Sequence, residues 1–404
     1  MKYRKLGNSG MLASEIGFGS GYFLNKEMTD EKLREIFDSG IAAGMNILDF
    51  CLAEHEVRDK TGKAIRGYRD KLIIQGHIGL ILEDGQYART QDLDKAKTHF
   101  DDLLARLETD YVDIGMLHCI DTHEDYDAAI NSGLVDYMKE LKNKGVMKTL
   151  GFSSHEPDVS SRMVNSGIFD VAMFSICPLF DLVSDDMEKF FEDMEKSFEG
   201  GFEGGFESGF KSGGVLNSTA ANVNRTRSAF YALCDEKGVG ITVMKVLGAG
   251  SLVKAETSPF GVAMTVPQCI HYALNRPAAA SVFIGYETID QVRDSLNYYQ
   301  ASAEELDYSH IFGALNSGRI NSSTAKKCLY CNHCLPCASK INIGEVTRLL
   351  DTSIIYGKTD ELQKEYDSLP AKASSCAQCN RCVKRCPFGI NVISNMNRAR
   401  SLFE

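Results

Sequence analysis

YVDIGML, at residues 111–117, is a short apolar run rich in β-branched and aromatic residues, and seven similar runs occur in the first 285 residues. They are SEIGFG (14–19), MNILDF (45–50), KLIIQG (71–76), MKTLGF (147–152), FDVAMF (169–174), GITVMK (240–245) and ASVFIG (280–285). Between them lie segments with apolar residues at three- and four-residue spacing that end near glycine. Eight strands alternating with helices predict an α/β fold, a closed (β/α)8 barrel of the TIM type with its helices outside.

The length and charge of the chain restrict its organisation and its partners. With 404 residues it exceeds what one core usually supports, so we expect a large domain and a smaller one. A net charge of −11 and the lack of any Lys/Arg run argue against a nucleic-acid partner. The N-terminal segment, MKYRKLGNSGMLASEIGFGSG, is charged and interrupted by glycine, which predicts neither a secretory leader nor a membrane span. We therefore expect a cytoplasmic protein without membrane contact.

An insertion interrupts the strand–helix rhythm between the sixth and seventh strands, at about residues 184–222. A charged helical segment comes first, and a four-residue unit, FEGG-FEGG-FESG-FKSG, then repeats over residues 198–213. Repeated glycines oppose regular structure, whereas repeated phenylalanines oppose a purely solvated linker. Three interpretations stay open: a mobile flap over the barrel mouth, an expanded surface loop, and a surface that contacts a partner.

Eight of the thirteen cysteines lie in two short runs near the C-terminus, where the strand–helix alternation has stopped. Such clustering indicates metal binding, because a disulfide framework would spread cysteines along the chain. We place a domain boundary near residue 313, which gives a barrel over residues 1–312 and a small, helical, ferredoxin-like domain over residues 313–404.

The spacing within the two runs predicts two [4Fe-4S] clusters. KKCLYCNHCLPC has two-residue gaps, and SSCAQCNRCVKRCPFG has the C-x2-C-x2-C-x3-C-P spacing of ferredoxins, in which the fourth cysteine ligates the other cluster. Two structural zinc sites are the alternative, although zinc usually takes two cysteine pairs separated by a longer spacer. The pattern assigns Cys328, Cys331, Cys334 and Cys386 to one cluster, and Cys337, Cys376, Cys379 and Cys382 to the other.

The chain resembles the aldo-keto reductase superfamily, and within it the subgroup that has a C-terminal ferredoxin-like extension. The similarity follows the chain in order and covers nearly all of it. The matching segments are YRKLGNSGMLASEIGFGSG (3–21), GMNILDF (44–50), LLARLETDYVDIGMLH (103–118), KNKGVMKTLGFSSHEP (142–157), MKVLGAG (244–250) and FIGYETIDQV (283–292).

The resemblance implies an active site of Asp, Tyr, Lys and His at the carboxyl ends of the strands. Asp49 matches the aspartate and His118 the histidine. The tyrosine position holds Glu54 and the lysine position holds His77, so the usual general acid for carbonyl reduction is missing. Because an ionisable group replaces an ionisable group at both positions, we expect all four residues to be catalytic.

The resemblance also implies a nicotinamide nucleotide, NAD(P), but the matching contacts are altered. The Ser-Asn pair of the family is Ser153 and Ser154 here, and Met173 replaces the glutamine that clamps the carboxamide. Gly285 and Gln291 of the nucleotide segment are kept, while Glu287 stands where a carboxylate would repel a 2′-phosphate.

These features predict an oxidoreductase in which the clusters relay single electrons to, or from, a small organic substrate of the carbonyl type in the barrel mouth. A ferredoxin or a flavoprotein is the expected electron-transfer partner. Two alternatives stay open: an NAD(P)H-dependent reductase with the clusters as electron outlet, and a catalytically silent electron-transfer or scaffold subunit.

A divalent metal in the barrel mouth is a further hypothesis. Its ligands would be His77, His118 and a carboxylate of Glu54 or Asp49, because these residues follow neighbouring strands. A direct ion pair between Asp49 and His77 would satisfy the same groups without metal.

Overall fold

Eight parallel strands close into the predicted barrel in a computed structural model that describes residues 1–182, 223–312 and 328–404. Going round the barrel, the order is β3, β4, β5, β8, β9, β10, β11, β12 and back to β3. These strands are β3 (Ile16–Gly19), β4 (Ile47–Phe50), β5 (Ile73–Ile78), β8 (Val112–Leu117), β9 (Met147–Ser154), β10 (Val171–Ser175), β11 (Gly240–Met244) and β12 (Ala279–Gly285). The (β/α)8 prediction is confirmed.

Two short antiparallel sheets accompany the barrel. The hairpin of β1 (Tyr3–Lys5) and β2 (Leu12–Ser14) precedes the first barrel strand. A second hairpin joins β6 (Leu80–Glu83) to β7 (Gln86–Arg89), directly after β5. Because it follows the carboxyl end of a barrel strand, the second hairpin stands at the barrel mouth.

Helices cover the barrel and make up most of the C-terminal region. Around the barrel they are α1 (Asp30–Ala42), α2 (His55–Ile65), α3 (Leu93–Arg106), α4 (His123–Asn131), α5 (Leu134–Asn143), α6 (Pro157–Asn165), α7 (Pro178–Asp181), α8 (Arg225–Lys237), α9 (Val266–Leu274) and α10 (Ile289–Leu296). In the C-terminal region they are α11 (Ile343–Tyr356), α12 (Asp360–Asp367), α13 (Arg381–Arg385) and α14 (Val392–Phe403). Short 3-10 turns occur at Ser20–Leu24, Arg69–Lys71, Asn297–Tyr299 and Ala373–Ser375.

Two apolar layers hold the barrel together. Alternate strand residues point inward and fill the interior, among them Ile47, Met116, Met173 and Phe283. The opposite faces of the strands pack against the helices in a larger core. Burial on both faces explains why the strands are continuous apolar runs, which is the pattern that made them visible in the sequence.

The C-terminal region has an apolar core of its own, formed by α11 and α14 with the segments between them. Val346, Leu349 and Ala399 are fully buried there, and the rings of Tyr366 and Phe403 stack with centroids 4.4 Å apart. Because this core is small, we expect bound metal to contribute much of the stability of the cysteine loops.

Two predicted features fall outside the described residues. The helix and glycine-phenylalanine repeat of the insertion lie in residues 183–222, and the predicted domain boundary lies in residues 313–327. The limits 1–312 and 313–404 therefore remain our proposal. In the described ranges, no helix combines the length and the apolar character that a membrane crossing requires.

Asp181 ties together the barrel segments on both sides of the insertion. Its side chain is 0% exposed, and its backbone oxygen accepts a hydrogen bond from the Asn224 amide at 2.7 Å. Two arginines and two tyrosines donate to its carboxylate: Arg227 (2.9 Å), Tyr231 (2.6 Å), Tyr272 (3.1 Å) and Arg276 (3.2 Å). The chain thus leaves and rejoins the barrel at one buried, hydrogen-bonded point.

Replacing Asp181 by Asn should lower the free energy of unfolding by about 3–5 kcal/mol, because two buried guanidinium groups lose their counter-charge. Urea unfolding of the anaerobic protein, followed by far-UV circular dichroism, measures the change. Asp136→Asn, which breaks an exposed pair with Lys139, is the control and should leave the midpoint nearly unchanged. Equal midpoints for the two variants would contradict the role given to Asp181.

Candidate active site

A chain of hydrogen bonds runs through the barrel mouth from Asp49 to Tyr87. His77 Nε2 lies 2.9 Å from Asp49 Oδ1, and His77 Nδ1 lies 2.8 Å from His118 Nδ1. The other nitrogen of His118, Nε2, lies 2.8 Å from the Tyr87 hydroxyl. Asp49, His77 and His118 belong to the ends of the adjacent strands β4, β5 and β8, which is why the three side chains meet.

One proton arrangement satisfies every bond of this chain. A carboxylate only accepts hydrogen bonds, so His77 Nε2 carries a proton, and in the neutral imidazole its Nδ1 is then an acceptor. His118 must then donate from Nδ1, which leaves its Nε2 to accept from Tyr87. The assignment follows from the hydrogen-bond network. All donors therefore point from Tyr87 towards Asp49, and one shift along each bond moves a proton between the two ends.

Burial keeps both ends of the Tyr87–His118 bond uncharged. It holds the pKa of His118 well below its usual range, with further contributions from His77 and Arg89. It also raises the pKa of Tyr87 well above its ordinary value. A protonated phenol and a neutral imidazole are the states in which the phenol can exchange protons with a bound substrate and pass one to the histidine.

Tyr87 reaches the mouth on the β6–β7 hairpin, not on a barrel strand. The turn residues Asp84 and Gly85 have φ values of 51° and 76°, and a two-residue hairpin turn of this kind needs positive φ at both positions. Our sequence analysis did not identify Tyr87. The signal that could have found it is the Asp-Gly pair between the short runs LILE and QYAR.

The same hairpin binds the cysteine-rich region. Gln86 donates from Nε2 to the Cys337 carbonyl at 3.2 Å, and its Oε1 accepts from the Cys337 amide at 3.1 Å. The ring of Tyr87 lies 5.7 Å from that of His333, between Cys331 and Cys334 in the sequence. Two neighbouring residues of one hairpin, Gln86 and Tyr87, therefore contact the first cysteine run, at Cys337 and His333. Tyr87 also ends the hydrogen-bond chain that begins at Asp49.

A second group of polar side chains follows the strands β8, β9 and β11. His155 Nδ1 is 3.1 Å from Asp121 Oδ1, and its Nε2 is 2.5 Å from Lys245 Nζ. Burial and the Lys245 charge lower the pKa of His155. Phe388, which follows the last cysteine, packs with its ring 4.8 Å from Lys245 Nζ and 5.3 Å from the His155 ring. The cysteine-rich region thus covers this side of the mouth as well.

Comparisons with known proteins agree with this architecture. A profile of the Aldo/keto reductase family matches residues 15–197, and a 4Fe-4S dicluster domain profile matches residues 327–391. The chain carries an aldo/keto reductase domain. Its C-terminal region is a 4Fe-4S dicluster domain, and the family together with the names of its relatives makes the protein an oxidoreductase. The recognised family and enzyme class are confirmed.

The relatives include two proteins of Bacillus subtilis (strain 168). The uncharacterized oxidoreductase YqkF is 28% identical over 317 residues, which is 77% of this chain and 94% of that protein. The aldo-keto reductase YhdN is 27% identical over 162 residues, 38% of this chain and 47% of that protein. Among solved structures, the holo form of aldo-keto reductase AKR11C1 from Bacillus halodurans has a TM-score of 0.57 at 22% identity, covering 78% of this chain and 96% of that one. That likeness shows the fold.

The structure separates Glu54 from the other predicted catalytic residues. Glu54 precedes α2, and its Oε2 accepts a hydrogen bond from the Ala53 amide at 3.1 Å. Among the described residues, no hydrogen bond joins Glu54 to His77 or His118. Asp49, His77 and His118 do come together, and Tyr87 supplies the phenol that is missing at position 54.

The divalent metal stays a prediction that this geometry does not favour. Asp49 and His77 hydrogen-bond directly, which is the metal-free arrangement considered above. In the described ranges, two groups of three His, Cys or Asp side chains have potential metal-ligand atoms within 4.8 Å of one another. Neither group contains His77, Asp49 or Glu54. These groups are His118, Cys119 and His333, and Cys119, Asp121 and His155.

The predicted nucleotide contacts are engaged within the protein. Ser153 Oγ accepts from the Cys119 amide at 2.7 Å, and Ser154 Oγ lies 3.4 Å from Asp121 Oδ1. The Gln291 side chain caps α10 and accepts from the Glu287 amide at 2.6 Å. Glu287 itself accepts from Asn25 at 2.7 Å, and Gly285 lies against the Tyr22 ring. Whether NAD(P) binds stays a prediction.

The arrangement of the eight cysteines does not favour two zinc ions. Zinc bonds of about 2.3 Å bring four sulfurs within about 3.8 Å of one another. No three of the eight sulfurs, all of which are described, lie within 4.8 Å of one another. One pocket is lined by the four cysteines assigned to the second cluster, Cys337, Cys376, Cys379 and Cys382.

The first set of cysteines is also brought together. Burial, and after it the charges of Cys331 and Cys386, raises the pKa values of Cys328 and Cys334. Arg385, next to Cys386, donates to the Pro336 carbonyl at 2.9 Å, so the end of the second run lies beside the first. The crossed pairing that the spacing implies stays a prediction.

We expect slow NADPH-dependent reduction of generic aldehydes, with kcat/KM below about 10⁴ M⁻¹s⁻¹, because the clamp serines bond internally and Glu287 opposes a 2′-phosphate. Absorbance at 340 nm measures the rate, and fluorescence titration measures NADPH binding. The matched variant Glu287→Gln removes the charge and should strengthen NADPH binding more than NADH binding. Wild-type rates typical of efficient enzymes would contradict the expectation.

Proposed function

We propose that this protein is an iron-sulfur oxidoreductase that couples single-electron transfer through two [4Fe-4S] clusters to proton transfer on a small carbonyl-type substrate in the barrel mouth. One observation carries the proposal: the β6–β7 hairpin joins the proton chain to the first cysteine run through adjacent residues, Tyr87 and Gln86. The clusters, when bound, supply electrons one at a time. Cys328, Cys331, Cys334 and Cys386 would hold one, and Cys337, Cys376, Cys379 and Cys382 the other.

The residues of the barrel provide the protons that the reaction needs. Reduction of a carbonyl to an alcohol consumes two electrons and two protons. The reductive direction starts with every bond of this hydrogen-bond chain reversed: Asp49 carries a proton from solvent, and each histidine donates towards Tyr87. Tyr87 then donates a proton to the substrate oxygen while one shift along each bond reprotonates Tyr87. A second such cycle supplies the proton for the substrate carbon. In the oxidative direction Tyr87 accepts the alcohol proton, and the same chain removes it. The proposed mechanism therefore uses the phenol of Tyr87 in place of the family's catalytic tyrosine, whose position holds Glu54 in this sequence.

The internal bonds of Ser153, Ser154 and Gln291 favour the clusters over NAD(P) as the electron source. The two other functions make different predictions in the same experiment. An NAD(P)H-dependent reductase turns substrate over with nucleotide and without another donor. A silent subunit reduces no carbonyl compound with any donor.

Tyr87→Phe should lower the turnover of carbonyl compounds by about 10²- to 10⁴-fold, because it removes the acid and leaves the ring in place. Viologen reduced by dithionite serves as the donor, and its oxidation is followed with a panel of small aldehydes and ketones. Tyr330→Phe is the matched control, because Tyr330 lies in the first cysteine run and its hydroxyl bonds to Asp351 of α11 at 2.8 Å. Iron content should stay the same in both variants.

Two outcomes would overturn the proposal. The first is wild-type protein that carries its full complement of clusters but oxidises no reduced viologen with any carbonyl compound. The second is Tyr87→Phe protein that turns over as fast as Tyr330→Phe protein.

We expect about eight irons and eight sulfides per chain after anaerobic purification, because eight thiolates in this spacing hold two cubanes. Cys379→Ala should roughly halve both values and lower the thermal midpoint of the C-terminal domain. Cys234→Ala removes a buried cysteine of the barrel helix α8 and is the control for iron content. Stoichiometric zinc without labile sulfide would contradict the prediction.

A further inference from the structure

The second cysteine run lies in a strongly basic segment of an acidic protein. Residues 372–400 contain no aspartate or glutamate, although the whole chain has a net charge of −11. Six basic residues occur in this segment: Lys372, Arg381, Lys384, Arg385, Arg398 and Arg400. An oxidised cluster with its four thiolates has a net charge of about 2−, so the segment remains positive when the cluster is bound.

Most of these cations have no carboxylate partner. In the described part of the chain, Lys372 approaches Asp367 at 4.0 Å, and no carboxylate lies within 4.0 Å of the other five. Arg381, Lys384, Arg398 and Arg400 are exposed to solvent. On the barrel surface, by contrast, basic residues commonly pair with acids, as Arg66 does with Glu108 and Arg162 with Asp127. Unpaired exposed charges of one sign produce a field that extends to approaching molecules.

The positive surface lies over the cysteines assigned to the second cluster. Cys379 is exposed, and Arg381 lines the same pocket as Cys376 and Cys382. The first cluster, by contrast, lies towards the barrel mouth, because His333, next to its ligand Cys334, packs against the rings of Tyr87 and His155. Since the rate of electron transfer falls steeply with distance, the exposed cluster is the one that a second protein can reach.

We propose that this basic surface, formed by Arg381, Lys384 and the neighbouring cations around Cys379, docks an acidic protein that carries one electron at a time. The inference rests on the proposed function, because it assumes that the clusters relay electrons. In the reductive direction the carrier loses one electron and the second cluster gains it, with no bond formed or broken. Opposite charges steer the two proteins together and raise the association rate by about 10- to 10³-fold at low salt.

The docking can be tested with a small acidic [4Fe-4S] ferredoxin as the probe. Stopped-flow absorbance measures the second-order rate at which the reduced probe reduces the intact protein, and calorimetry measures binding of the oxidised probe. We expect the double variant R381E/K384E to lower the rate at low salt by about tenfold or more. The wild-type rate should fall steeply as salt rises, and that of the variant should not.

Lys2→Glu with Lys5→Glu is the matched control. Both lysines are exposed at the β1–β2 hairpin, which precedes the first barrel strand and so lies at the end opposite the cysteines. This control changes the net charge by the same amount and should leave the rate and the binding unchanged. K384E alone should show part of the effect, because it reverses one of the two charges. Lys384 does not line the cysteine pocket, so this variant changes the surface charge without changing the lining of that pocket.

Iron content and the electron paramagnetic resonance signal of the reduced clusters are measured for every variant. Equal rates for R381E/K384E and the control, with clusters intact, would overturn the docking surface. Binding of a short RNA in preference to the acidic probe would overturn it too. Failure of the proposed function looks different: the probe then reduces the clusters at the expected rate, but no carbonyl compound reoxidises them.

Discussion

The hydrogen bond between Tyr87 and His118 is the interaction on which the organisation of this protein depends. On one side of it lies a barrel interior whose histidines and aspartate form a single chain of donors and acceptors. On the other lies a hairpin whose neighbouring glutamine bonds to both backbone groups of Cys337. Buried polar groups are costly unless every one of them is paired, so the bond fixes the position of the hairpin relative to the barrel.

The barrel could be predicted almost completely because its physics is local and repetitive. Each strand is buried on both faces, so each is a continuous apolar run, and eight such runs alternating with helical segments leave few other folds. The cysteine-rich region was predictable for a different reason, since four thiolates at short, fixed gaps have few chemical uses. Both inferences depend on residues that are close in the sequence.

The candidate active site was only half predictable, and the reason is geometric. Asp49, His77 and His118 end neighbouring strands, so the topology of the barrel alone brings them together. Glu54 was assigned by its place in a family pattern, but its carboxylate caps a backbone amide next to it. Tyr87 arrives on a hairpin outside the barrel strands, and only the three-dimensional path of that hairpin shows that a phenol meets His118.

The buried contacts of Asp181 have a consequence for the evolution of the chain. Because the Asp181 oxygen and the Asn224 amide are hydrogen-bonded, the intervening residues begin and end at one place, whatever their number. The entropy of closing a loop grows only slowly, by about 0.6 kcal/mol for each doubling of its length. Natural variants of this protein can therefore gain or lose repeats at this position, as tandem duplications in the gene would produce, and keep the same barrel.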